Sequence, residues 1–302
     1  MKTLINSQKK SVDRKLLFYI VLMVLPIVQF CVFYIGVNFQ SILMAFQKYD
    51  SFATTFEFLT SDIFANFKRI FEYPKQLGIM FRNTLIAWFF TSFVGTFVAV
   101  LFSLYIFKHK KVGRFFKFVL FIPSILPAIL LSSVFQNFVN ELLPLLFGTG
   151  KLLNSVETPA STQFIVSLVY SLWIGFGTQV LMYTGAMEQI SPAVLEAGKI
   201  DGATAWQEFW HIILPGIMPT VGTFIVAGVA LAFTNQLNLY NFFAGEALPE
   251  VQTIGYYMFK LTNAGITNKA DYPYLSAFGL VCTIVAIIPT FLLRKYFAKF
   301  ED

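Results

Sequence analysis

Residues 195–215 read LEAGKIDGATAWQEFWHIILP, a polar stretch set between two long apolar runs. Glu196, Lys199, Asp201, Glu208 and His211 crowd into it. The whole chain is 57% hydrophobic, 18% aromatic and only 13% charged over 302 residues. A soluble domain carries roughly 25% charged residues. This deficit, with the long apolar runs, places the chain among integral membrane proteins. A bilayer-spanning chain has no need of a polar island, so the island reads as a surface that something in the cytosol grips.

Working outward from it, six runs reach the roughly 20 apolar residues that a helical span requires, at about 16–37, 84–107, 118–140, 164–186, 216–238 and 274–294. Helices are expected, because hydrocarbon offers no water to satisfy open backbone groups. A barrel would need short alternating strands, and these runs are continuously apolar. The expected fold is all-α and integral to the membrane, with six transmembrane helices in one domain over 1–302.

Lys and Arg beside the spans set the orientation. Lys2, Lys9, Lys10, Arg14 and Lys15 precede the first span; Lys108, Lys110, Lys111, Arg114 and Lys117 join the second and third; Arg294, Lys295 and Lys299 follow the sixth. With six spans all three groups share one side, which puts both termini in the cytoplasm. Segment 187–215 falls on that side too, yet Lys199 is its one clear base. It is therefore no topology signal. The basic residues sit largely beside spans, so the net charge of +6 reads as topology and not as a nucleic-acid surface.

The N-terminal apolar run is too long for a signal-peptide core of about 7–15 residues and lacks an A-x-A cleavage pattern, so a retained first span is expected. Cys31 and Cys282 both fall in spans and read as packing residues. The loop before the second span is long and near charge balance, with a short surface helix expected near 63–72. Pro26, Pro123, Pro127, Pro219 and Pro289 lie in apolar runs, where they either kink ordinary packed helices or shape a path.

Within the island, Ser191 suits an N-cap and Pro192 a first helical position. A short helix is expected over Ala193 to Ile200, with a break at Asp201-Gly202. Asp201 is expected to cap a second short helix over Ala203 to Ile213. Pro215 and Gly216 would then lead into the fifth span. Ala197, Gly198, Gly202, Ala203 and Ala205 are small enough for close approach by a partner.

Glu196-Ala197-Gly198, then Asp201-Gly202-Ala203, then Leu214-Pro215, resemble the EAA loop of permease subunits of bacterial ATP-binding-cassette (ABC) importers. Gly198 departs from the usual Ala and weakens the helix by about 1 kcal/mol. Trp173, Gly177, Ile190-Ser191-Pro192, Pro123, Pro127 and Asn83-Thr84 extend the likeness over most of the chain, roughly 80–302. Phe233 to Phe242 and Gln252 to Tyr257 are similar to the carbohydrate-importing branch; Phe243-Ala244-Gly245-Glu246 departs from its T-x-G-G-P stretch.

The resemblance implies the ABC importer permease fold with a cytoplasmic coupling helix in loop 187–215. It implies a second permease subunit in a heterodimer, two cytosolic ATPases that carry the ATP and Mg, and an extracellular solute-binding protein at the membrane of a bacterial cell. Glu196, Ala197, Gly198, Asp201, Gly202 and Ala203 would dock on an ATPase, with no cofactor in this chain.

The chain itself holds no engine. The nearest approach to a phosphate loop is Gly150-Lys151, with Leu145 in place of the first Gly and Leu152 in place of Ser or Thr. No catalytic constellation or metal-ligand spacing is visible. Polar groups inside spans are costly and informative. Thr234, Asn238 and Asn241 at i, i+4, i+7 would share a helical face, beside Asn235 and Tyr240, with Gln179 and Tyr183 opposite in the fourth span. Amides match sugar hydroxyls as donors and acceptors, but they also bond helix to helix. The expected solute is a sugar or oligosaccharide. The alternatives are another polar solute, such as a glycerol-phosphate ester or a peptide, or an ion-coupled secondary transporter. The last would want acidic residues inside the spans, and none is present there.

Overall fold

The computed structural model describes residues 16, 18–154, 156–264 and 269–300, the side chains of Lys110 and Ala264 excepted. The basic residues before Leu16 that entered the orientation argument lie outside the described residues. Among the described residues, six helical stretches are long and apolar enough to cross a membrane: Phe18–Met44, Pro74–Lys108, Ala128–Phe147, Ala160–Glu188, Ala205–Phe243 and Lys269–Phe300. Each expected span overlaps one of these stretches, the third only in part, and the chain is an all-α membrane protein in which the one sheet among the described residues is a small hairpin.

The chain divides into two compact units, Met1–Arg69 with Lys269–Leu280, and Ile70–Asn268 with Val281–Asp302. In the first unit, the span Phe18–Met44 is exposed over nearly its whole length. It runs on to a hairpin of β1 (Gln47–Asp50) and β2 (Thr55–Phe58), antiparallel with Gln47 opposite Phe58. Asp50 accepts the N–H groups of Phe52 and Ala53 at 2.8 and 3.2 Å and so forms the turn. The short helix expected near 63–72 is found at Ala65–Ile70. Asn66 ties it back by donating to the carbonyls of Ala45 and Gln47. Arg69 bonds Asp271 at 3.1 Å and lies 4.5 Å over the Tyr274 ring.

In the second unit, the second span starts ten residues before the expected boundary, at Pro74, where a missing N–H costs nothing. The buried Asn83 and Thr84 latch it to a distant loop. Asn83 donates to the carbonyls of Glu250 and Gln252, and Thr84 accepts the N–H of Ile254.

The third segment differs from expectation. The run 118–140 is not one helix. A helix over Lys110–Ile125 ends at Leu126, which is extended at φ −78°, ψ 145°, and a new helix starts at Ala128. Pro127 is the reason: its ring clashes with a helical conformation at the preceding residue. Pro123, Pro219 and Pro289 by contrast lie inside continuous helices. Helix Lys110–Ile125 lies very close to the fourth span. A Cβ on Gly177 would sit 1.9 Å from the carbonyl oxygen of Leu120, so only glycine fits there.

Two apolar clusters fill this unit. One, towards the end that bears loop 187–215, gathers Ala99, Val180, Met187, Phe209, Ile213 and Ile217. The other, towards the far end, gathers Leu153, Tyr170, Leu237, Phe242, Val251 and Tyr256.

Candidate functional site: the loop 187–215 and a polar cavity

The helix after Ser191 runs Pro192–Ile200, with Pro192 in its first turn as expected. Its end is a two-bond glycine turn. Gly202 stands at φ +76°, the N–H of Ala203 reaches the carbonyl of Gly198 at 2.9 Å, and the N–H of Gly202 reaches Lys199 at 3.1 Å. These bonds satisfy carbonyls that the helix end would otherwise orphan.

The next helix differs from expectation in its cap and in its length. Thr204, not Asp201, is the cap. Its Oγ1 accepts the N–H of Gln207, whose side chain accepts the N–H of Thr204 in return. The T-x-x-Q spacing carried this signal. The helix is not a separate short piece over 203–213. It passes from Ala205 through a widened turn at Phe209–Ile213 into Leu214–Leu231. Pro215 has no N–H to give its own i−4 carbonyl, and the widened turn falls next to it.

Glu196, Ala197, Asp201 and Gly202 are exposed, and Gly198 and Ala203 are half-buried. Among the described residues Glu196 makes no ion pair. A Cβ on Gly198 would meet Ile212 Cδ1 at 2.7 Å, so the small residue admits a side chain of the following helix. Around these polar positions Ile200 and Trp206 are 85% and 64% exposed, a far larger apolar display than a solvated connection needs. Trp206 packs edge-on to Trp210 at 5.4 Å. Neither exposure was anticipated from the sequence; for Trp206, a Trp pair at i, i+4 in a polar island was the available signal.

Glu208 is buried and pairs with Lys108 at 2.6 Å, and Glu188 pairs with Lys117 at 2.6 Å. His211 is exposed with Nδ1 3.1 Å from the carbonyl of Gln207. No cluster of metal-ligating side chains occurs among the described residues.

The polar groups of the fifth span do not share one helical face. Regular helix ends at Leu231, a tight turn covers Ala232–Thr234, Asn235 is extended, and Leu237 and Asn238 are left-handed at φ 50° and 56°. Asn235 causes the break. Its side chain captures the N–H of Leu237 at 2.9 Å, and its carbonyl accepts the Thr253 hydroxyl at 2.8 Å. Asn238 then precedes a short helix, Leu239–Phe243, and bonds Asn241. Tyr240 packs edge-on against Phe259 at 4.9 Å.

A cavity of about 490 Å³ lies beside the break. It brings together Gln179, Thr234 and Asn235 with Trp88, Thr91 and Ser92 of the second span. Tyr183 does not line it; its hydroxyl bonds Thr96 at 3.2 Å, and the ring is fully buried. Asn238, Tyr240 and Asn241 do not line it either. The indole N–H of Trp88 is buried without a protein partner. All the lining groups are neutral. Trp88, Thr91 and Ser92 were missed because they sit in a run that reads simply as apolar.

The family described as "Binding-protein-dependent transport system inner membrane component" matches residues 92–300. The multiple sugar-binding transport system permease protein MsmF of Streptococcus mutans is 22% identical, over 92% of this chain and 94% of its own length. The sn-glycerol-3-phosphate transport system permease protein UgpA of Pectobacterium atrosepticum is 24% identical, over 78% and 79%. A crystal structure of a bacterial ABC transporter involved in import of the acidic polysaccharide alginate contains a chain of the same fold. Its TM-score is 0.76 at 19% identity, covering 97% of this chain and 99% of that one.

Proposed function

From the premise that this chain belongs to the family of inner membrane components of binding-protein-dependent transport systems, we propose that it is the pore-forming permease subunit of an ATP-driven importer for a sugar or oligosaccharide. It acts as one domain in a bacterial cell membrane with both termini in the cytoplasm. Its pore is completed by a second, different permease subunit. Two cytosolic ATPases drive it, and an external binding protein delivers the solute.

The observation that carries the coupling half is the loop itself. A short helix, closed by the Gly202 turn, presents Glu196, Ala197 and Asp201 amid exposed Ile200 and Trp206. In this reading the small residues Ala197, Gly202 and Ala203 let the helix enter a groove on the ATPase, while Gly198 seats Ile212 behind it. Glu196 supplies the polar contact, and Ile200 and Trp206 supply apolar area. ATP and Mg stay on that partner, and this chain catalyses nothing. Replacing Glu196 and Gly202 by Trp in a complex co-expressed with the ATPase should abolish ATPase retention and uptake. Wild-type retention and uptake would sink the reading.

The solute half rests on the cavity. Trp88 offers a ring, while Gln179, Asn235, Thr91 and Ser92 offer neutral donors and acceptors, a set suited to hydroxyls. UgpA keeps a glycerol-phosphate ester as the second reading, although a phosphate would find no cation in this lining. Asn238, Tyr240 and Asn241 would belong to the route beyond the cavity, with Tyr183 backing it. Uptake of labelled oligosaccharides and of glycerol 3-phosphate by vesicles holding the whole transporter separates the two readings. Asn235→Ala should raise KM for the true solute while leaving ATPase assembly intact.

A further inference from the structure

The basic connection between the second and third spans does more than mark a side of the membrane. Two of its lysines reach across to the two ends of loop 187–215. Lys117 Nζ lies 2.6 Å from Oε1 of Glu188, the last residue of the fourth-span helix and four residues before Pro192. Lys108 Nζ lies 2.6 Å from Oε2 of Glu208, four residues after the cap Thr204. The loop helix is thus flanked on both sides by an acid held from the same connection. Lys111 and Arg114 of that connection are exposed and make no ion pair among the described residues.

The connection is built to be stiff. The His109 ring stacks on Tyr105 at 4.6 Å, with Nδ1 3.0 Å from the Tyr105 carbonyl. Gly113 donates to the His109 carbonyl at 2.8 Å. A Cβ on Gly113 would lie 2.8 Å from the Ile106 carbonyl oxygen, so the turn is as tight as glycine permits. Phe102 and Phe116 meet edge-on at 5.6 Å across it. A displacement applied at Lys108 or Lys117 therefore moves the end of the second span and the start of helix Lys110–Ile125 together. That helix cannot slide freely past the fourth span, because the Leu120 carbonyl sits against Gly177.

The two pairs differ in strength. Glu188 is about half exposed, and screened pairs hold weakly. The Glu208 side chain is only 7% exposed, so parting it from Lys108 would strand a buried charge. The Lys108–Glu208 pair should stay closed while the loop moves.

We infer that Lys108 and Lys117 are positioning residues that clamp the two flanks of loop 187–215 and carry its displacement into the second span and helix Lys110–Ile125. The inference rests on the docking role proposed for that loop. The test uses the whole transporter in lipid nanodiscs, with Cys31→Ser and Cys282→Ser and a reporter Ala227→Cys in the cavity wall. The readout is the rate of maleimide labelling at position 227 with and without ATP plus vanadate. Lys108→Met with Lys117→Met should retain the ATPase subunits and hydrolyse ATP, yet lose the ATP-dependent change in labelling. The charge swap Lys108→Glu with Glu208→Lys should restore it, which a purely packing role would not do. An unchanged ATP-dependent response in the Met variants would overturn the clamp, and so would failure of those variants to hold the ATPase at all. Neither result touches the docking reading, which stands or falls on the Glu196 and Gly202 variants.

Discussion

Gly202 and Asp50 are the single residues whose backbone chemistry is most exposed to test. Gly202 holds φ +76° with nothing within 4 Å of a would-be Cβ, so space is free and only the torsion resists substitution. A β-branched side chain there should cost about 1–2 kcal/mol. Gly202→Val should accordingly speed amide exchange over 199–203 by roughly tenfold, since about 1.4 kcal/mol is a factor of ten. Asp50 is held below the ordinary carboxylate value, first by the Phe52 N–H and then by the Ala53 N–H. A carboxyl lowered in the folded state supports the turn above its unfolded pKa, and that support fades as pH falls through the lowered value. Acid titration followed by amide exchange should loosen residues 50–55 in Asp50 chains and give a flat profile in Asp50→Asn. Both residues were visible in the sequence as turn formers, yet only the Gly202 turn was anticipated. The hairpin of β1 and β2 escaped because two four-residue strands beside a span leave too short an alternation to read.

At the scale of elements, the cap at Thr204 and the contact at Gly177 decide how helices begin and meet. Thr204→Ala removes the Oγ1 acceptor of the Gln207 N–H and should destabilise the start of the fifth span by about 1 kcal/mol. Thr204→Ser should not, and exchange at Ala205–Glu208 reads the difference. Gly177→Leu has no such escape, since the obstructing atom is the Leu120 backbone oxygen. Overpacking of that kind costs about 1–3 kcal/mol, so the melting temperature of the purified chain in detergent should fall. Six apolar runs were legible because each is long and bears almost no charge. Their ends were not. Pro74 extends the second span, and Leu126 breaks the third because Pro127 follows it. Where Thr234, Asn238 and Asn241 lie at helical spacing, the chain leaves the helix, since Asn235 bonds its own backbone and Thr253 arrives from 18 residues away.

At the scale of the whole molecule, distant segments meet through a few polar latches. Asn83 donates to the carbonyls of Glu250 and Gln252 at 2.7 and 3.0 Å. Asn83→Leu leaves both without that donor, at about 1 kcal/mol each, and should free residues 249–254 to exchange without unfolding the spans. By itself the sequence determined the membrane class, the number of spans, the polar loop and the missing phosphate site. These follow from composition and from spacing along the chain, which hydrophobic length and local turn chemistry dictate. Tertiary structure alone decided that Gln179 and Asn235 share a cavity with Trp88, while Tyr183 turns away to Thr96. It alone joined Lys108 to Glu208 and Lys117 to Glu188 across long stretches of chain. Which polar group inside a span meets which partner depends on how helices rotate and break when they pack. A buried charge or amide must find its mate in space, and no local pattern records where that mate will stand.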